Sequence, residues 1–182
     1  LFQGQLIVGS DITTQYYAAF DFYHKALISG QSFLWSPLLF SGFPLYLSQV
    51  GGFFDPVNYI LFHFFDGFDG LHIRLFLDYV LLLVVSFAAA RVWGLSRVAS
   101  FCVGLGYLLA FNETYVSNPL FANSAFLMPF LVWVAGKVRH HDGFTIGLAV
   151  MAGATVGFAF LGGYAQPIIM YLVLFGLLGA GY

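Results

Sequence analysis

Polar and apolar positions fall in two regimes along this chain, with the change near residue 70. From Gly9 to His63 acids, amides and aromatics are interleaved, whereas beyond Leu71 the apolar runs reach membrane length. From about Ile12 to Ser29, Tyr16, Phe20, Tyr23 and Leu27 recur at helical spacing, and Asp21 and Lys25 form an i,i+4 pair on another face. That pattern predicts a helix lying at a membrane interface rather than crossing it. Ser10 or Asp11 caps it, because a side-chain oxygen there accepts from N–H groups left free in the first turn, and Gly30 supplies the left-handed stop. Ser36-Pro37, Ser41-Gly42, Phe43-Pro44, Gly51-Gly52 and Asp55-Pro56 then punctuate the backbone too often for a long helix, so Asp55-Pro56 reads as a turn start. A short surface helix is expected from Val57 to about Phe65. Crossing about 30 Å of hydrocarbon takes about 20 helical residues. Spans are expected at roughly Leu71–Gly94, Val98–Phe111, Pro119–Val138, Phe144–Leu161 and Pro167–Tyr182, the second being short.

Composition changes this from a pattern into a class. Hydrophobic residues make up 60% of the chain and charged residues 8%, with a mean hydropathy of +0.88; a soluble domain carries about a quarter charged residues. The expected fold is an all-α, polytopic transmembrane helix bundle with interfacial helices. Residues 1–70 form an extracytoplasmic loop, and residues 71–182 supply four to five spans. The apolar run reaching Tyr182, and the lack of a span before Asp11, imply part of a larger polytopic protein. A net charge of −2 and the absence of a Lys/Arg cluster argue against nucleic acid. Cys102 is the sole cysteine, which excludes an intrachain disulfide and a Cys-based zinc site; among Phe101, Val103 and Leu105 it reads as a buried structural thiol.

Charge placement gives orientation. Arg91, Arg97, Lys137 and Arg139 fall in loops that the positive-inside rule assigns to the cytoplasm. Asp11, Asp21, Asp55, Asp66, Asp69 and Glu113 then fall outside, so the functional face is extracytoplasmic.

An ordered string of motifs adds a resemblance. Gly9-Ser10-Asp11, Gln15-Tyr16, Gly30, Trp35-Ser36-Pro37, Phe40-Ser41-Gly42-Phe43-Pro44 and Asp55-Pro56-Val57-Asn58 resemble the bacterial YfhO-type membrane proteins, of the polytopic glycosyltransferase group with the GT-C fold. Gly162-Gly163-Tyr164-Ala165-Gln166-Pro167 is similar to the glycine–glutamine segment such proteins carry at a helix end. The resemblance implies a bacterial cytoplasmic-membrane enzyme that takes a sugar from a polyprenyl-phosphate donor to a glycan or polymer acceptor of the cell envelope. It also implies a catalytic acid in the first outer loop, the position Asp11 matches. The doubled acid of some relatives is absent, since Ile12 follows Asp11, so no cofactor is assigned and a divalent cation stays open.

The residues themselves fit that chemistry in part. Glycosyl transfer to a hydroxyl needs a base for the acceptor proton, and a carboxylate suits it. Asp11 is either that base or a helix cap, and one residue can do both. The phosphate leaving group needs cationic donors, for which His24, Lys25 and Arg74 are the outer-side candidates. Lys25 is equally a solvated partner of Asp21, and Arg74 a structural i,i+4 partner of Asp78. Gln15, Tyr164 and Gln166 are candidates for sugar hydroxyls or plain interhelix contacts, and Trp35 for a sugar ring or an interfacial anchor. His140-His141 read as a solvated loop, and no GxSxG-type elbow supports a hydrolase. The rival class is a membrane transporter or lipid-binding protein without chemistry.

Overall fold

The computed structural model describes residues 16–37, 41–45, 52–110, 119–140, 145–162 and 165–180, with backbone alone for 119–121 and 177–180. Helix accounts for most of these residues, which are all-α apart from one short ribbon.

Helix α1 (Tyr17–Ser29) buries Phe20, Tyr23 and Ala26 on one face and carries the exposed Lys25–Asp21 pair, 2.6 Å apart, on another. It ends at Gly30, whose φ of 67° lets its N–H turn back to the carbonyls of Ala26 and Leu27, as expected. The expected start of this helix and its Ser10 or Asp11 cap lie outside the described residues. Strands β1 (Trp35–Ser36) and β2 (Phe43–Pro44) pair antiparallel, Trp35 opposite Pro44 and Ser36 opposite Phe43. At two residues each they are too short to show alternation, and in sequence only their turn signals were visible.

Helix α2 (Pro56–Phe64) matches the expected surface helix to within a residue. Asp55 caps it by accepting the Val57 N–H at 2.8 Å, and Pro56 occupies the first position, where a missing N–H costs nothing. Two residues later Asp66 caps α3 (Gly67–Val92) through the N–H groups of Phe68 and Asp69. Helix α3 has 26 residues, about 39 Å of rise, and among the described residues it is the one helix long and apolar enough to cross a membrane. Helices α4 (Arg97–Ala110) and α7 (Ile146–Leu161), and the Ala165–Gly176 part of α8 (Ala165–Ala180), are apolar but shorter.

The segment expected as one span from Pro119 to Val138 is two helices, α5 (Pro119–Ala125) and α6 (Leu127–His140), with a turn at Phe126. Pro129 accounts for the break: it has no N–H for the carbonyl of Ala125, and its ring crowds that carbonyl.

Helix α3 is the hub, with α4, α6, α1 and α2 packed along it. Two apolar clusters meet on it. Leu75 and Leu82 belong to a bundle core with Ala122, Phe126, Leu131 and Ile168. Leu71, one turn before Leu75, belongs to an aromatic cap with Tyr16, Phe20, Tyr23, Phe53 and Phe62. In the cap Phe20 lies flat on Phe62 at 4.4 Å, and Tyr23 meets both Phe53 and Phe62. Aromatic pairs in these geometries contribute about 0.5–1.5 kcal/mol each beyond their burial.

The far end of α3 is basic. The Trp93 indole N–H donates to the Val132 carbonyl at 3.0 Å, the Arg139 guanidinium lies over the Trp93 ring, and His140 meets it edge-on. Arg91 and Arg97 flank the same turn. Apolar side chains stand exposed along the length of the bundle: Phe76, Val80 and Val84 on α3, Val98, Phe101 and Leu109 on α4, Val150 on α7, Met170 and Val173 on α8.

One expectation is corrected here. Cys102 is exposed, not buried. The face of α4 that packs on α3 is set by Ser100 and Gly104, one turn apart, with Gly104 close against Leu83; a residue midway between them points outward.

Candidate functional site

Between the aromatic cap and the bundle core lies a layer of buried polar groups. Arg74 is 5% exposed and its side chain runs toward Asp78, one turn on, with Nε donating to Oδ1 at 3.2 Å and Oδ2 at 3.1 Å. Its Nη1 donates to Asn58 Oδ1 at 3.1 Å and forms an ion pair with Asp55 Oδ2 at 2.8 Å. Asp55, Asn58 and Asp78 are all buried. One guanidinium therefore holds α3, α2 and the loop before α2 together. With both carboxylates ionised, the trio of charges sums to −1.

The layer continues sideways through backbone. Asn58 Nδ2 donates to the Gly52 carbonyl at 3.0 Å, and Asn123 Nδ2 on α5 donates to the Gly162 carbonyl at 3.5 Å. Gly52 has a φ of 53°, and a Cβ there would stand 2.7 Å from the Gly162 oxygen. Only a glycine allows this approach, so the cap loop is seated on the end of α7.

The cap has its own polar ties. The Tyr23 hydroxyl donates to the Phe53 carbonyl at 2.8 Å. Burial, with smaller contributions from Tyr59 and Asp55, pushes the Tyr23 phenol well above its ordinary range. His24 Nδ1 is 2.8 Å from the Phe62 carbonyl, which fixes that nitrogen as the protonated one.

The candidate residues named from sequence separate into three groups. Arg74 is at the centre of the buried layer, paired with Asp78 as its i,i+4 spacing suggested and with Asp55 in addition. His24 is tied to the α2 backbone, Lys25 is exposed beside Asp21, Trp35 is 56% exposed on β1, and Gln166 is exposed in the first turn of α8. Asp11, Gln15 and Tyr164 lie outside the described residues. Among the described residues no group of three or more His, Cys, Asp or Glu could hold a metal ion.

In sequence Asp55 reads as a turn start, and Asn58 is not among the candidate site residues. Asp55 does open α2, but its buried carboxylate also meets Arg74 nineteen residues along, a pairing with no local periodicity. Asn58 did carry a signal: it is the one amide in the otherwise charge-free helix Pro56–Phe64, a turn before the buried Phe62.

Comparison with protein-family models, curated proteins and solved structures finds no match.

Proposed function

We propose that the chain belongs to a polytopic, GT-C-like membrane glycosyltransferase of the YfhO type. In this reading it moves a sugar from a polyprenyl-phosphate donor to a cell-envelope acceptor on the extracytoplasmic face. The observation that carries the reading is the polarity of the molecule along α3. A cap of aromatics and acids is locked to one end by Arg74, a cluster of cations gathers at the other, and exposed apolar side chains lie between. Apolar surface of this extent suits lipid, and an ionisable layer inside it is paired or functional. In this reading the shorter apolar helices belong to additional spans, with the cationic end cytoplasmic.

The chemistry follows from the cap's position. Asp11 is six residues upstream of Tyr17, whose ring stacks on Phe68 in the first turn of α3. In this reading the acid acts on the capped side. There its carboxylate takes the proton from an acceptor hydroxyl. The new bond from the acceptor oxygen to the anomeric carbon forms as the carbon–phosphate oxygen bond breaks, and polyprenyl phosphate leaves as the anion. Arg74 contacts that phosphate only if it exchanges a carboxylate partner; Lys25 is the cation nearer the surface, with His24 next to it in sequence.

The test is transfer of radiolabelled sugar from a panel of polyprenyl-phosphate donors by the full protein in vesicles. Asp11→Asn is expected to lose at least about 100-fold, the usual scale for a general base, while remaining monodisperse. Undiminished transfer in Asp11→Asn would remove the assigned base. The buried Asp55–Arg74–Asp78 cluster specifically favours a second reading, a transporter, since paired charges at membrane depth mark translocation sites. Substrate flux that survives Asp11→Asn and stops in Asp78→Asn would select it.

A further inference from the structure

We propose that α2 dips into the leaflet on the capped side and lays Tyr59, Ile60, His63 and Phe64 against lipid. This rests on the membrane reading above and adds a second lipid-contacting surface to the spans.

The direction of α2 is fixed by what it touches. Phe62 packs so closely on α3 that a Cβ at Gly70 would meet its ring at 2.6 Å. Asn58, one turn earlier in α2, reaches Arg74, one turn later in α3. The two helices therefore run antiparallel, joined by Phe65 and Asp66, and α2 opens at its deeper end.

The depth follows from α3. Hydrocarbon about 30 Å thick takes about 20 helical residues. Counting back from Arg91, whose charge belongs in the headgroup layer, sets the opposite boundary near Leu71. Phe62 is level with that boundary and Asn58 lies about a turn inside it. Irregular backbone at such depth must be satisfied within the protein. Gly52, in the described part of the loop before α2, meets this: its carbonyl accepts from both the Asp55 N–H and Asn58 Nδ2 at 3.0 Å.

The outward face has the chemistry of a lipid boundary. Pro56–Phe64 carries no Asp, Glu, Lys or Arg, yet Tyr59, Ile60 and Phe64 are more than half exposed, Phe64 at 74%. Tyr59 and His63, stacked one turn apart, give that face a polar edge suited to headgroups. Water would leave this surface costly, and a charged protein rim would find no counter-charge on it.

The test is spin-label accessibility in the full protein reconstituted in phosphatidylethanolamine–phosphatidylglycerol vesicles, on a Cys102→Ser background. Labels go at Ile60→Cys, Phe64→Cys and, on the exposed face of α3, Val80→Cys. The expected result is oxygen-dominated relaxation at positions 80 and 60, with position 64 shallower than 60. Oxygen dominance at 80 with nickel-chelate dominance at 60 and 64 overturns the proposal and leaves the membrane reading standing. Labels at 60 and 64 reached by neither reagent overturn it too, since protein then covers the face. Nickel-chelate dominance at all three positions removes the membrane reading and this inference with it.

Discussion

Replacing Arg74 by Gln leaves a shorter, neutral polar side chain and withdraws the one cation from a layer holding two buried carboxylates. Removing one partner of a buried ion pair costs about 3–5 kcal/mol, because the remaining charge keeps its desolvation penalty without compensation. Here two acids are left, and the cap loses its main tie to α3. For a chain of this size each kcal/mol shifts the melting temperature by about 2–4 °C, so Arg74→Gln is expected to melt about 6–20 °C below wild type. Asp55→Asn provides the contrast. Asparagine caps a helix about as well as aspartate, and the change leaves Arg74 balanced by Asp78 alone, so its cost should be well under that of Arg74→Gln. Asp55→Asn, Arg74→Met and Asp78→Asn combined remove all three charges and should recover much of the loss. The assay is thermal unfolding in one detergent, followed by intrinsic fluorescence and by the fraction remaining monodisperse. Arg74→Gln melting within a degree or two of wild type, or Asp55→Asn costing as much, would refute the view that this guanidinium holds cap and bundle together.

Other consequences are more local. Tyr23→Phe deletes the hydrogen bond to the Phe53 carbonyl and should cost about 0.5–1.5 kcal/mol at neutral pH. Because burial raises the folded-state phenol above its unfolded value of about 10, its contribution is complete below pH 10 and declines above it. The melting-temperature gap between wild type and Tyr23→Phe should therefore narrow as pH is raised from 8 to 11. Gly52→Ala pairs a left-handed φ with a Cβ 2.7 Å from the Gly162 carbonyl and should destabilise by about 1–3 kcal/mol. Gly106→Ala, in open space on α4, should be neutral or stabilising by up to about 1 kcal/mol; the two are compared in one melting series.

What the sequence disclosed, and what it hid, divides by range of interaction. The end of α1 at Gly30, the extent of α2, the length of α3 and the Arg74–Asp78 pair all follow from spacing within a turn or two, and all are present. The break before α6 was equally local, written in Pro129, but it was outweighed by the continuous apolar run around it. Asp55 meeting Arg74, and Gly52 meeting Gly162, join residues far apart in sequence, and no local pattern announces them. Cys102 has apolar neighbours in sequence and is nonetheless exposed. On a helix whose outer face is itself apolar, hydrophobicity no longer tells inside from outside. Of the candidate site, Arg74 was the residue whose setting could be foreseen, since an arginine in an apolar helix needs a partner.

The account turns on α3 crossing a bilayer with the aromatic cap on one side and the cationic end on the other. The most direct measurement is labelling by a membrane-impermeant thiol reagent in sealed, oriented vesicles, on a Cys102→Ser background. Gln31→Cys reports the cap and Arg97→Cys the opposite end. Modification of Gln31→Cys from the exterior, with Arg97→Cys reacting only after the vesicles are opened, is the predicted result. Equal reaction of both from the exterior of intact vesicles would contradict it.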